Sequence, residues 1–73
     1  MNQDELRRRL ENELAYYESE IQIRVDLIRT TSRSALDHET AIKVHKYENE
    51  KRELQQRANE TRNRLTSLIH SRR

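Results

Sequence analysis

The side chains with the widest chemical repertoire in this 73-residue chain are three histidines, a run of carboxylates and two groups of arginines. His38 and His45 stand seven positions apart. That is two helical turns, so they share a face but exceed the i, i+4 spacing with which two helical histidines hold a metal. Glu11, Glu13, Glu18 and Glu20 lie close in sequence. A di-metal bundle needs inward carboxylates together with a Glu-x-x-His pair. The residues three before His38, His45 and His70 are Ala35, Ile42 and Ser67, so that pair is missing and no metal or other cofactor is expected. No nucleophile stands with a base and no glycine-rich segment can cradle a phosphate, so the chain is expected not to be an enzyme.

Two features are left that bear on partners. Arg29-Thr30-Thr31-Ser32 has the loose form of a basic residue three before a serine, and a phosphate there would sit near Arg29 and Arg33. Arg7-Arg8-Arg9, with Arg62, Arg64, Arg72 and Arg73, offer guanidinium groups to a carboxylate or a phosphate. Cations near a helix C-terminus are stabilising in their own right, and the stems of Arg7, Arg8 and Arg9 can cover Leu6 and Leu10. A solvated face is thus the ordinary reading of the first group, and a basic end that meets an acidic partner is the sharper one.

Composition narrows the classes further. The chain is 38% charged and 32% hydrophobic, with no Gly, Pro, Cys, Trp or Phe. Lacking Gly and Pro, it has little to build the tight turns of an all-β fold, and lacking Cys it has no disulfide framework. Fifteen basic and 13 acidic residues leave a net charge of +2. Residues 1–37 carry 6 basic and 8 acidic groups, residues 38–73 carry 9 and 5, so the halves attract each other. So weak a basic excess, with no aromatics interleaved, argues against nucleic-acid binding. No apolar run approaches the roughly 18 residues of a spanning helix, and no leader pattern is present, so no membrane insertion is expected and the location is taken as intracellular, cytoplasmic.

Two helices must position these groups. Leu6, Leu10, Leu14, Tyr17, Ile21, Val25 and Ile28 step by 4, 4, 3, 4, 4 and 3, one face of a helix over about residues 3–32. Asn2 with Glu5 is a candidate cap for it. Val44, Tyr47, Lys51, Leu54, Ala58, Thr61, Leu65 and Leu68 alternate steps of 3 and 4, the heptad pattern, over about residues 38–71. Lys51 and Thr61 stand there where apolar residues belong. The Ser- and Thr-rich stretch between competes with the helix through local backbone bonds, placing a turn at about residues 33–37 with Ser34 or Asp37 as the next cap.

The reading is an all-α antiparallel helical hairpin, a two-helix coiled coil forming one domain over residues 1–73. One uninterrupted helix is the rival. In the hairpin, facing residue numbers share a constant sum: Leu6 with Leu65, Leu10 with Thr61, Leu14 with Ala58, Tyr17 with Leu54, Ile21 with Lys51, Val25 with Tyr47, Ile28 with Val44. The fold-back point then lies near Leu36. Glu20 is expected near Arg52, Glu11 near Arg62, Arg24 near Glu48 and Asp26 near Lys46. Ile23, Leu27, Ile42 and Ile69 fall off the stripe and Tyr16 faces outward, so association into a dimeric bundle is expected to cover them.

One resemblance follows. Arg8-Arg9-Leu10-Glu11-Asn12-Glu13-Leu14 in the first helix and Arg62-Asn63-Arg64-Leu65 closing the second, in a hairpin of this length, resemble the Rho-effector homology-region repeats. Those are the antiparallel coiled-coil fingers of fungal protein kinase C and of protein-kinase-C-related kinases. The family's small pair midway along the first helix is replaced here by Glu20-Ile21-Gln22-Ile23. The resemblance implies binding of a Rho-type small GTPase along one helix face. The function expected from the residues themselves is protein–protein association or oligomerisation, with Tyr16, Ile23, Leu27, Ile42, Ile69, Arg7, Arg8 and Arg9 as partner-binding candidates. The partner is then a second copy or a small GTPase, and an RNA-binding bundle using the basic end is the third reading.

Overall fold

A computed structural model describes residues 3–33 and 37–70. Two helices account for nearly all of them, α1 over Gln3–Arg33 and α2 over His38–His70. They pack side by side as an antiparallel hairpin measuring 55 × 16 × 14 Å. The fold is therefore all-α, not a single rod. Neither helix is long and apolar enough to cross a membrane.

Local chemistry explains where the helices run. Asp4 and Glu5 sit in the first turn of α1 and Arg33 in its last, as the helix dipole favours. Thr30 stays helical because its hydroxyl donates to the Asp26 carbonyl at 2.8 Å, so its polar group bonds inside the helix instead of ending it. Of the three candidate caps, Asn2 and Ser34 lie outside the described residues, and Asp37 caps α2. Its carboxylate accepts the Thr40 N–H at 2.7 Å, and its carbonyl accepts the Ala41 N–H at 3.1 Å. Bonds from the Thr40 hydroxyl and N–H, with Lys43 nearby, hold Asp37 below the usual carboxylate range.

The seam between the helices differs from the sequence reading. Along α1 the less exposed residues include Leu10, Leu14, Tyr17, Ile21, Arg24, Ile28 and Thr31, which alternate steps of 4 and 3. Both helices thus present the heptad pattern, and the α1 seam passes through Arg24 beside the half-buried Val25. Two bonds across the seam, Arg24 to Glu50 and Thr61 to Glu13, set facing residue numbers to a sum of 74.

That sum slides the helices by about one layer from the expected register. Within one residue of that sum, Leu65 falls at the level of Leu10, Thr61 at Leu14, Ala58 at Tyr17, Leu54 at Ile21, Tyr47 at Ile28 and Val44 at Thr31. Lys51 leaves Ile21 for the level of Arg24, so the polar residues gather in one layer while Ile21 meets Leu54. The expected charge pairs change with it. Arg24 bonds Glu50 and Glu20 rather than Glu48, Arg62 reaches Glu18 at 3.4 Å rather than Glu11, and Glu11 pairs with Arg7 at 3.3 Å. Asp26 takes a bond from Gln22, not from Lys46. The centre of the fold-back moves from Leu36, outside the described residues, to Asp37.

Candidate interaction surface

A two-helix seam buries little. Among the described residues only Leu10, Ala58 and Thr61 are buried, at 6, 2 and 2% exposure. Leu6, Leu14, Tyr17, Ile21, Val25, Ile28, Val44, Tyr47, Lys51, Leu54, Leu65 and Leu68 are only half-buried. Each layer is closed on the partner helix and open on both flanks, as two cylinders touching along one line must be.

Two polar contacts are built into that seam. The buried Thr61 hydroxyl donates to Glu13 Oε1 at 2.8 Å, which satisfies a group that would otherwise be orphaned. Arg24 donates from Nη1 to Glu20 at 3.1 Å and from Nε to Glu50 at 3.2 Å, with side-chain exposures of 24, 25 and 34%. Burial alone would lower its pKa, but the two carboxylates outweigh that and raise it above the ordinary arginine value. The guanidinium therefore ties α1 to α2 as a permanent cation. Apolar periodicity misses Arg24, Glu13, Glu20 and Glu50 because it counts only apolar residues. The 4-and-3 spacing is the signal that finds Arg24, with Glu20 four residues before it as its helical neighbour.

The sequence candidates for partner contact are placed as follows. Tyr16, Ile23, Leu27, Ile42 and Ile69 are exposed, at 60, 47, 37, 55 and 56%. The Tyr16 ring meets Tyr17 edge-on, their centres 5.7 Å apart. Tyr16, Ile23 and Leu27 share one side of α1, whereas Ile42 and Ile69 stand at opposite ends of α2. Arg7, Arg8 and Arg9 are exposed; Arg7 bonds Glu11, and Arg8 and Arg9 border an open groove of about 350 Å³ with Glu5 and Asn12. His38, His45 and His70 are exposed. His45 borders a groove of about 350 Å³ at the turn end with Ser32, Asp37, Thr40, Ala41, Val44 and Glu48. Among the described residues no three His, Cys, Asp or Glu side chains gather as a metal would require.

Among the described residues the arrangement offers contact surface: an open apolar seam and a side of α1 carrying exposed apolar side chains. Comparison with family models, curated proteins and solved structures finds no match for this chain.

Proposed function

We propose that this chain is a non-enzymatic helical-hairpin module whose function is association, first of all with itself. One observation carries the reading: along a 55 Å hairpin the apolar layers are half-open, and three described residues alone are buried. Chains of this size rarely draw more than about 3–5 kcal/mol from a single core, and oligomerisation is a common way to supplement it. A second hairpin packed against the first would add the apolar burial that this two-helix seam lacks, without new sequence.

Sedimentation equilibrium tests this directly. The expected result is a mass of twice 8.9 kDa at micromolar concentration. A monomer mass through the millimolar range sinks self-association. GTP-dependent retention of a Rho-type GTPase by such a monomer would then support the reading implied by the family resemblance.

A further inference from the structure

Resting on the self-association reading, we infer that the outer stripe Tyr16–Ile23–Leu27 of α1 is the face covered by a second copy of this chain. At about 100° per residue these three side chains fall within about 40° of one another, one straight line along the helix. Widening that line to an arc of about 80° takes in Asn12, Ser19 and Thr30 and no other residue of 12–30. All six are exposed and none is charged, in a chain that is 38% charged. Ile42 and Ile69, by contrast, are single apolar residues at separate ends of α2.

The border of this stripe is prepared for burial. On the flank toward α2 it meets Glu13, Glu20 and Glu50. All three carboxylates are already bonded within the hairpin, Glu13 by Thr61 and the other two by Arg24. Covering this side therefore leaves none of the three without a partner, which is the usual cost of burying charge. Tyr16 also borders a largely charged groove of about 300 Å³ with Glu20, Arg24, Glu50, Glu53, Leu54 and Arg57, where Glu53 and Arg57 offer charges to the second copy. The opposite flank carries the exposed Asp26, which takes a bond from Gln22 at 3.1 Å, and further round the helix the pairs Arg62–Glu18 and Arg7–Glu11, which are about half exposed and still depend on water.

Area identifies the occupant. The chain exposes 5895 Å². A compact monomer of its mass exposes about 4,800 Å², and a compact dimer about 8,000 Å². Two hairpins would have to bury about 3,800 Å² in total to reach that, inside the range of about 2,000–5,000 Å² found for obligate homodimers. A small peripheral ligand would leave most of that surplus wet; a second hairpin removes it.

The test compares the masses of the unaltered chain, an Ile23→Glu/Leu27→Glu variant and an Ile42→Glu variant, with helix content followed by circular dichroism. The expected result is dimers for the unaltered chain and Ile42→Glu, and dissociation at least about 100-fold easier for the double variant, as loss of a central apolar cluster gives. A double variant that dimerises as tightly as the unaltered chain overturns this face but leaves self-association standing. An unaltered chain that stays monomeric overturns both. Should the charged variant lose its helices, alkylation of Ile23→Cys and Ile42→Cys chains decides instead. Modification at 23 should slow as protein concentration rises while that at 42 does not, and equal behaviour overturns the proposal.

Discussion

At the scale of single residues, two hydrogen bonds carry expectations of different kinds. Asp37 starts α2 through its bonds to Thr40, and its pKa lies below the ordinary value because those bonds favour the carboxylate. A depressed pKa means that the stabilisation is complete above the unfolded value of about 3.9 and fades as pH falls through the folded one. Thermal melts from pH 7 to pH 2 should therefore show the unaltered chain losing stability below about pH 4 relative to Asp37→Asn, which caps without titrating. Parallel losses would show that the cap does not titrate. Thr61 belongs to the interior, and its hydroxyl is the partner of a carboxylate. Thr61→Val keeps the shape but strands Glu13, so denaturant titration should show a loss of about 1–2 kcal/mol, largely restored by the further change Glu13→Leu.

At the scale of the two helices, the layer of Arg24, Glu20, Glu50 and Lys51 divides the apolar seam and determines its register. Arg24→Met leaves two carboxylates facing each other and should cost about 1–2 kcal/mol, read from the urea midpoint. Lys51 differs: among the described residues no ion pair ties its ammonium group down. Lys51→Leu should therefore raise the melting temperature by roughly 4–8 °C, the shift expected for about 1 kcal/mol in a domain of this size, while broadening the range of oligomers. A lower melting temperature would mean that Lys51 has a carboxylate partner in the assembled state. This layer also shows how far the sequence can be read. Both helices were legible, because nothing in them is Gly or Pro and their apolar residues recur at helical spacing. The fold-back was legible from the matching lengths of the two stripes. The register was not, because Val25 extends the apolar stripe while Arg24, one position earlier, occupies the seam. A polar residue held in place by Glu20 and Glu50 has no apolar signature; its partners become visible only when two helices are laid together.

For the whole molecule, shape is the controlling quantity. A radius of gyration of 16.5 Å exceeds the roughly 11 Å of a compact chain of this length, so much of what the two helices bring together remains in contact with water. Stability drawn from such a seam is small, and the surface covered on association supplies the remainder. Folding and association are then one equilibrium, and mass action ties the melting temperature to concentration. Raising the protein concentration 100-fold should shift the melting temperature upward by several degrees for the unaltered chain, because a dimer gains about 2.7 kcal/mol over that range. Under the same conditions the Ile23→Glu/Leu27→Glu chain should melt lower and independently of concentration. Salt separates this from a reading in which the arginines do the binding. An apolar interface changes little with ionic strength, whereas contacts to Z phosphates of duplex nucleic acid weaken with a log–log slope of about −0.9Z. The net charge is only +2, with Glu11 already on Arg7 and Glu18 on Arg62. The concentration-dependent shift should therefore persist at 0.5 M salt, with no retention on duplex or single-stranded nucleic acid at physiological salt. A shift that vanishes with salt would move the contact from the apolar stripe of α1 to its charged border.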